Sequence, residues 1–337
     1  MSAALTVLEA GPSSTIQDSG RYGFLRYGVA SAGPCDTLFH AIANRLVGNR
    51  IGTAAIEFTL AGDRYRVTAD STRVAIAGDA TVDIDGKKVP SWRSYTLNEG
   101  QILSVGTVTK GLRGYVAVAG GLDLQPQLGS LSVHARSGIG PMGGTPLRQG
   151  AIIPIKHRGS ENPPEYEFDI SLLPETTDVL RVVMGPQDEH FQTEDLAALV
   201  ESRFTLTPQC DRMGCQLSGP KINYRRDKPL ISEGIALGSV QVPGEGLFIV
   251  ALRDRQTVGG YPKIATVISP DIRRISQARP GAVIRFQSID IAAAQAAARE
   301  YAAFVGGIDK LIKRPGQSLN EALLSKNLIS GVYCDGS

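Results

Sequence analysis

Features that direct a protein to nucleic acids or membranes are scarce in this chain of 337 residues. Its 35 lysines and arginines nearly balance 33 acidic residues and are scattered, so no basic patch is available to displace counterions from phosphates. No stretch approaches the roughly 18 continuous apolar residues of a membrane span. The first residues, MSAALTVLEAG, lack the basic segment and apolar run of a secretory signal. We therefore expect no nucleic-acid or membrane partner and a cytoplasmic location.

Cysteine and histidine are also scarce, with four residues of each. The cysteines show neither C-x-x-C nor zinc-ligand spacing, so we expect reduced, mostly buried thiols and no metal site. No G-x-S-x-G motif accompanies the histidines, which argues against a serine-hydrolase triad. The four cysteines are Cys35, Cys210, Cys215 and Cys334.

Two glycine runs match nucleotide-binding motifs in spacing alone. Residues 138–143 read G-x-G-x-x-G, but the sequence indicates neither a strand before the run nor an uninterrupted helix after it. Residues 28–33 have P-loop spacing but continue as Pro34-Cys35 instead of Lys-Ser/Thr. We expect loops at both places, so no P-loop in this chain would hold ATP.

Short β-like runs separated by turns dominate the chain. The 38 glycines and 19 prolines punctuate runs at 73–77, 114–119, 179–183 and 247–252, a pattern typical of barrels or sandwiches. Asp85-Gly86 predicts a hairpin turn. The structure is therefore expected to be mainly β.

Few helices are indicated, and each depends on a recognisable start. Asp36 is a candidate N-cap for a helix over 37–47, with Gly48 as its stop, and acidic residues follow Thr193 in a second helix over 194–204. Further helices are predicted after Asp290 and, through a capping box, from Ser318.

The length and composition favour two domains of roughly 150 residues each. With 42% apolar and 20% charged residues, the chain has the composition of a folded globular protein. The least structured stretch lies just before residue 178. We predict an N-terminal domain at 1–160, a linker at 161–177 and a C-terminal domain with terminal helices at 178–337.

A short polar pattern, Gln-x-x-Gly-x-Tyr, occurs once in each half. The first copy runs from Gln17 to Tyr22 and the second from Gln256 to Tyr261, with identical internal spacing. The pattern suggests two related domains that each present a turn, with a polar cleft where the turns meet. A well-capped surface turn with an Asp–Arg pair is the alternative for the first copy, and N-capping is the alternative for Asp36.

The second half carries the densest polar and glycine content. Residues 211–214, 232–234, 238–244 and 254–263 place amides, charges and glycines next to β-like runs. Such loops on a stiff scaffold suit a small polar ligand. Ordinary hairpin turns with salt bridges remain the alternative.

These segments resemble the biotin-dependent carboxyltransferase/KipA family, also called allophanate hydrolase subunit 2. The resemblance spans nearly the whole chain. It implies a pair of cyclophilin-like β-barrel domains with a few peripheral helices and a cleft between the barrels. The motifs that carry it are TIQDSGRYGFLRYGVASAGPCD, ANRLVGN, IEFTLAG, YVAVAGGL, LGSLS, DRMGCQLSGP, ISEGIALGSVQVPGEG and DRQTVGGYPKIATV.

The resemblance also implies an activity and partners. Stand-alone members are similar to one subunit of an ATP-dependent 5-oxoprolinase, which opens the lactam of 5-oxoproline to L-glutamate. Such a protein would be active in a hetero-oligomeric complex that also contains an A subunit together with a KipI-like B subunit, and ATP with Mg²⁺ would be used there. One alternative is a carboxyltransferase that acts on urea or a related amide with biotin. Another is a non-enzymatic regulator that binds a KipI-like kinase inhibitor.

Under the hydrolase interpretation, loop donors would stabilise negative charge on the lactam oxygen, and carboxylates would move protons or hold the cations in place. The candidate catalytic residues are Asp18, Arg21, Arg212, Glu233, Asp254, Gln256 and Lys263. The candidate substrate-binding residues are Gln17, Asp36, Asp211, Gln241, Thr257, Gly259, Gly260 and Tyr261.

Overall fold

The computed structural model describes residues 3–156, 164–225, 230–243, 247–318 and residue 321. The first ten strands are β1 (Ala4–Glu9), β2 (Ser13–Gln17), β3 (Ala55–Thr59), β4 (Arg64–Val67), β5 (Ser71–Ile84), β6 (Lys87–Val89), β7 (Arg93–Asn98), β8 (Ile102–Val118), β9 (Ile152–Pro154) and β10 (Glu167–Phe168). The next ten are β11 (Val179–Met184), β12 (Phe204–Cys210), β13 (Gly214–Ser218), β14 (Glu233–Gly234), β15 (Ser239–Gln241), β16 (Phe248–Ala251), β17 (Val258–Gly259), β18 (Lys263–Val267), β19 (Val283–Ser288) and β20 (Ile312–Lys313). Within these described residues the α helices are α1 (Thr37–Leu46), α2 (Thr193–Glu201), α3 (Ile272–Gln277) and α4 (Ile291–Gly306).

An eleven-stranded sheet forms the N-terminal half. Its main order is β20-β10-β7-β5-β8-β4-β1-β9, with β2 and β3 joined to β8, and β6 joined to β5. The long strands β5 and β8 pair along most of their length, interrupted by bulges. Successive residues of a strand point to opposite faces, so every second side chain of the sheet strands points into a shared core. Phe58, Tyr65 and Val116 lie in that core.

A closed barrel of seven strands forms the C-terminal half. Its order is β11-β18-β15-β16-β13-β12-β19, and β19 closes the barrel by pairing in parallel with β11. Phe204 and Phe248 meet edge to face inside it, with ring centroids 4.8 Å apart. The short ribbon β14–β17 lies outside this barrel as a separate two-stranded sheet. The expectation of a mainly β fold with peripheral helices is confirmed.

The local signals of the sequence mark real turns and helix ends. Asp85 and Gly86 both have positive φ, at 51° and 78°, and connect β5 to β6. The Asp36 side chain accepts hydrogen bonds from the amides of Leu38 and Phe39 at the start of α1. Asp290 caps α4 in the same way by accepting from Ala293 N.

One helix prediction needs adjustment, and another lies mostly outside the described residues. The second helix ends at Glu201, three residues earlier than expected, because Phe204 already belongs to β12 and is fully buried in the barrel. At the last predicted helix, Ser318 and Glu321 make the reciprocal bonds of a capping box, but the rest lies outside the described residues. None of the described helices is both long and apolar enough to cross a membrane.

The C-terminal segment returns to the first sheet. Strand β20 pairs with β10, and the hydroxyl of Tyr301 on α4 lies 2.9 Å from Thr37 Oγ1 on α1. Strand β10 itself falls within the predicted linker and pairs with β7. Residues of the predicted linker and of the C-terminal tail thus pair with the N-terminal sheet. The domain boundaries at 160 and 178 stay a prediction.

The expectation of reduced thiols was wrong for one pair. Cys210 at the end of β12 forms a disulfide with Cys215 on β13, and the two residues face each other in the hairpin register. The hairpin brings together two side chains that stand five positions apart in the chain. Cys35 is free and buried, and Cys334 lies outside the described residues.

The barrel core yields a stability prediction. Phe248→Ala should lower the free energy of unfolding by about 3–5 kcal/mol, because the truncation leaves a cavity beside Phe204. Ile291→Ala, at a side chain 63% exposed on α4, should change it by less than about 0.5 kcal/mol. Urea unfolding followed by circular dichroism measures both, and equal effects would contradict this description of the core.

Candidate functional site

A cavity of about 720 Å³ opens on the outer face of the barrel. Its floor includes Gln216, Ile249 and Gln241, which are neighbours across β13, β16 and β15. Leu217 and Val250, the next residues on two of these strands, point into the barrel core. Alternation along the strands thus turns two glutamine amides outward into the cavity.

The β14–β17 ribbon forms one side of the cavity. Gly259 approaches the floor so closely that a Cβ there would lie 2.7 Å from Ile235 Cδ1 and 3.2 Å from Gln241 Nε2. A side chain at this position would separate the ribbon from the floor. The predicted site residues that line the cavity are Asp211, Gln241, Gln256, Gly259, Gly260 and Tyr261.

The N-terminal half also contributes to this cavity. Arg136 lines it and donates to the sulfur of Met213, another lining residue. The nearby His134 places Nε2 3.2 Å from the carbonyl oxygen of Asp254. The cavity therefore borders the seam between the two halves, but none of residues 17–22 lines it, so the cleft predicted between the two turns stays a prediction.

A buried arginine connects the halves beneath the cavity. Arg212 donates two hydrogen bonds of 2.9 Å to the two carboxylate oxygens of Asp254. It also donates to Gly33 O at 2.8 Å and to Glu57 of the N-terminal sheet. The Arg212, Glu57 and Asp254 side chains are 13%, 1% and 7% exposed. Since buried charges are costly unless paired, this trio holds the two halves in one arrangement.

Glu57 was not among the predicted site residues. It accepts hydrogen bonds from Tyr115 OH at 2.5 Å and from Cys35 N at 2.8 Å. Burial alone would raise the pKa of Glu57, but Arg212, Arg113 and these hydrogen bonds bring it below its usual value of 4.5. The signal that could have found it is a glutamate between apolar residues in the strand Ala55–Thr59.

Cys35 beside this trio is not activated. Its Sγ lies 3.3 Å from Arg212 Nη1. Burial nevertheless raises the pKa of the Cys35 thiol to about 11, against the opposing effect of Arg212. The thiol therefore stays protonated at neutral pH and is not set up as a nucleophile.

Gln17, in the first copy of the repeated pattern, is buried and stabilises the fold through hydrogen bonds. The Gln17 amide is fully buried, donates to Thr15 Oγ1 and Val133 O, and accepts from Gly33 N. By contrast, Gln256 is exposed and lines the cavity. The two glutamines thus occupy different environments, although the turns that carry them approach the same seam.

Asp18 is likewise committed to the fold. Its carboxylate accepts from Ser130 Oγ and Ser132 Oγ at 2.6 Å each, and from Leu131 N at 2.7 Å. Burial would raise the pKa of Asp18, but these hydrogen bonds lower it overall. Asp18 therefore stays ionised near neutral pH and fixes residues 130–132 against the first turn.

Arg21 has buried N–H groups that make no hydrogen bond. Its Nη2 donates to Ser132 O, whereas Nε and Nη1 are buried without a hydrogen-bond partner. Burial lowers the pKa of Arg21, and the charges of Asp18 and Asp254 act in the opposite direction. The first turn lies near the second-half loop, because Ser132 stands two residues before His134, whose Nε2 lies 3.2 Å from Asp254 O.

Lys263 and Glu233 form a pair next to the ribbon. Lys263 Nζ, whose side chain is 2% exposed, lies 3.4 Å from Glu233 Oε2, which also accepts from Gln187 Nε2 at 2.9 Å. Glu233 pairs across the ribbon with Gly259 of the cavity wall. Thr257 joins the same region through its carbonyl oxygen, which accepts from Ile235 N.

Two cations at the cavity were missed by the sequence reasoning, Arg136 and Arg255. Arg255 is 8% exposed and donates through Nε to Ile235 O at 2.9 Å. Burial, followed by the nearby Arg253, lowers the pKa of Arg255. Its position between two predicted residues, in the run Asp254-Arg255-Gln256, was the available signal.

Some predicted residues lie away from the cavity. Asp36 caps α1 and accepts from Gln277 Nε2 at 3.0 Å, at a different part of the seam. Among the described residues, no three His, Cys, Asp or Glu side chains cluster in a way that could hold a metal ion. The predicted residues that do not line the cavity are Gln17, Asp18, Arg21, Asp36, Arg212, Glu233, Asp254, Thr257 and Lys263.

Comparison with known proteins agrees with this architecture. Residues 27–288 match the carboxyltransferase domain, subdomains A and B. The chain is 34% identical to the 5-oxoprolinase C subunit of Escherichia coli K12, over 84% of this chain and 90% of that protein. It is 30% identical to the protein of the same name from Haemophilus influenzae, over 91% of this chain and 98% of the relative.

A solved structure extends the likeness to larger proteins. The urea amidolyase of K. lactis superposes with a TM-score of 0.83 and 26% identity. The match covers 90% of this chain but only 20% of the amidolyase, so the chain spans about a fifth of that relative.

The buried trio yields a second prediction. Arg212→Met should lower the free energy of unfolding by about 3–5 kcal/mol, because Glu57 and Asp254 would remain buried without their shared cation. The matched control is Arg285→Met, which removes an exposed bidentate pair with Asp178 and should cost less than about 1 kcal/mol. Chemical denaturation of both variants at one pH makes the comparison, and a cost at Arg212 no larger than at Arg285 would refute the linking role.

A third prediction concerns pH. The folded pKa of Glu57 is depressed below 4.5, so its contribution to stability is present above pH 4.5 and is lost as pH falls through the folded pKa. Glu57→Gln lacks this contribution. We expect the variant to be less stable than the wild type at pH 7, with a difference that shrinks below pH 4.5. Unfolding free energies measured from pH 7 to pH 3 test this, and a difference that stays constant would contradict it.

Proposed function

Because the chain belongs to the family of carboxyltransferase domains with subdomains A and B, we propose that it is the C subunit of an ATP-dependent 5-oxoprolinase. The complex would open the lactam of 5-oxoproline to L-glutamate in the cytoplasm. An A subunit together with a KipI-like B subunit would complete it. The observation that carries the proposal is the identity of 34% and 30% to two proteins of this name over most of their length.

The cavity suits a small lactam that bears a carboxylate. The amides of Gln216, Gln241 and Gln256 offer donors and acceptors that match a lactam C=O and N–H. Arg136 and Arg255 supply positive charge at the same cavity for the substrate carboxylate. An apolar side chain, Ile249, lies between the glutamines and would pack against the ring.

The roles of the site residues follow from their positions. Gln241 and Gln256 would donate to the carbonyl oxygen as negative charge develops on it. Arg212, Asp254 and Arg21 would act as positioning residues, because they hold the loops around the cavity in place. The Glu233–Lys263 pair, joined at 3.4 Å, does not line the cavity and would act as a positioning pair, because Glu233 is registered against Gly259 of the cavity wall.

The described residues do not fit Mg²⁺-ATP by themselves. They contain no cluster of acidic, His or Cys side chains that could hold the metal ion, and the glycine run at 138–143 continues into short 3₁₀ turns. We therefore assign nucleotide binding to the partner proteins and derive no step of this chain from it.

The relation to urea amidolyase supports a second candidate, a carboxyltransferase that acts on urea or a related amide with biotin. Urea and a lactam both present a carbonyl acceptor next to N–H donors, so the same glutamines would serve either substrate. The carboxylate of 5-oxoproline distinguishes them, since urea gives Arg136 and Arg255 no anion to bind. Biotin-dependent turnover of urea would favour this second candidate.

A fourth prediction tests the proposed function in the assembled complex. The chain is co-purified with the products of its neighbouring genes, and ATP-dependent glutamate release from 5-oxoproline is measured. Gln241→Ala and Gln256→Ala should each reduce kcat by about 10²-fold, since each removes one donor to the developing charge. Gln287→Ala, at an exposed glutamine on β19, should leave the rate unchanged.

Two outcomes would count against the proposal in different ways. Full activity in both cavity variants would refute the site while leaving the function intact. No glutamate release in any combination of the co-purified proteins, together with biotin-dependent turnover of urea, would refute the function in favour of the carboxyltransferase.

A further inference from the structure

A second cavity of about 520 Å³ lies elsewhere along the seam between the halves. The N-terminal half contributes Phe39 of α1 and Gly111 of β8, and the C-terminal half contributes α3 together with the start of β19. Residues 170–178, which connect the halves, form another wall. None of the residues that line the first cavity lines this one.

The walls of this seam cavity are mainly apolar. Phe39, Leu173, Ala278 and Ile284 are among the lining side chains. The volume lies within the range of about 300–1,000 Å³ that is typical of small-molecule sites. An apolar concavity of this size suits a compact hydrophobic body.

One buried cation lines the cavity without a direct hydrogen bond to an acid. The Arg273 side chain is 6% exposed, and its Nε has no hydrogen-bond partner. The nearest carboxylate oxygen, Asp36 Oδ1, lies 3.7 Å from Nε, beyond ordinary hydrogen-bond distance. The guanidinium also lies 5.6 Å from the centre of the Phe39 ring, which is a weak attraction by comparison with an ion pair.

The Asp36 carboxylate is already satisfied by other donors. Oδ1 accepts from the amides of Leu38 and Phe39 at 3.0 and 3.1 Å, and Oδ2 accepts from Gln277 Nε2 at 3.0 Å. The start of α1, where the helix dipole favours an anion, therefore stabilises Asp36 in addition to its 3.7 Å ion pair with Arg273. Arg273 keeps donor capacity that this carboxylate does not use.

The other charged groups at the cavity have partners or lie at its rim. Asp79 accepts from Trp92 Nε1 at 2.7 Å, and Asp178 pairs with Arg285 at 2.9 Å. Arg274 donates to Val179 O at 2.9 Å and lies near Asp271. Lys110 and Glu175 are exposed and carry opposite charges. Arg273 is thus the buried lining cation whose charge an incoming anion would complement.

We propose that the seam cavity binds a small molecule with one carboxylate on an apolar body, and that Arg273 recognises the carboxylate. The guanidinium offers a fork of N–H donors that matches two carboxylate oxygens, and the 6% exposure of the side chain strengthens the pairing because the surroundings have a low dielectric constant. Because both halves form the walls, an occupant would contact both of them. This site is independent of the proposed hydrolase activity.

The test uses 4-(trifluoromethyl)benzoate as the carboxylate probe and 4-(trifluoromethyl)benzamide as its neutral counterpart, with binding followed by ¹⁹F NMR on the full chain. We expect the benzoate to bind and the benzamide to bind at least about tenfold more weakly, because a charge-assisted pair is lost. Arg273→Met should weaken benzoate binding by about tenfold or more. Arg299→Met, at an exposed arginine on α4, should leave binding unchanged.

Two further variants show whether a change in benzoate binding arises at this cavity, at the first cavity or from unfolding. Ala278→Leu fills the seam cavity and should abolish benzoate binding while Arg273 is retained, whereas Gln256→Ala alters only the first cavity and should have no effect. The benzoate should also raise the unfolding temperature of the wild type but not of Arg273→Met. Absence of benzoate binding, equal binding of the benzamide, or unchanged binding in Arg273→Met would each overturn the proposal.

Discussion

The ion pairs of Arg212 with Glu57 and Asp254 determine how the two halves of this protein meet. The guanidinium stands on the turn between β12 and β13 and contacts Asp254 from its own half and Glu57 from the other. Burying any one of these three charges without the others would be costly, because desolvation penalises an unpaired charge. The contact between the halves therefore depends on charge complementarity as well as on apolar packing. The ion pair between Arg212 and Asp254 also fixes the position of the loop that follows Asp254.

The cavity at this seam combines rigidity with polarity. Its floor consists of outward-facing residues on barrel strands whose inward-facing neighbours fill the core, so the glutamine amides stand on a fixed scaffold. Gly259 lets the ribbon approach that floor, and Arg136 reaches it from the opposite half. A second set of contacts stabilises the seam elsewhere: Gln277 bonds Asp36 and Arg113 O, and Arg279 donates to Gly111 O at 2.7 Å. The two cavities are consequences of joining a sheet and a barrel along a polar boundary.

Sequence reasoning succeeded where short-range chemistry decides the outcome. The turn at Asp85-Gly86 and the caps at Asp36 and Asp290 depend on residues within three positions of each other. Six of the predicted site residues line one cavity, with Gln241 on strand β15, Gly259 on strand β17 and the others in adjoining turns, and their functional roles stay a prediction. The shared Gln-x-x-Gly-x-Tyr pattern did not reveal that Gln17 and Gln256 lie in different environments. Gln17 is buried, whereas Gln256 is exposed. Sequence reasoning also missed the disulfide between Cys210 and Cys215, because a cross-strand register decides which side chains face each other.

The sequence by itself determined the mainly β architecture, the starts of α1, α2 and α4, the family and the segments that carry the polar loops. Only the tertiary structure decided that Glu57 belongs with Arg212, from which it is separated by 155 residues, and that Arg136 reaches the cavity of the other half. The physical reason is that hydrogen-bonded turns and alternating strands are encoded by neighbouring residues. Buried ion pairs and cavity walls arise from groups that meet only when both halves are folded, and their energies depend on the burial that folding creates.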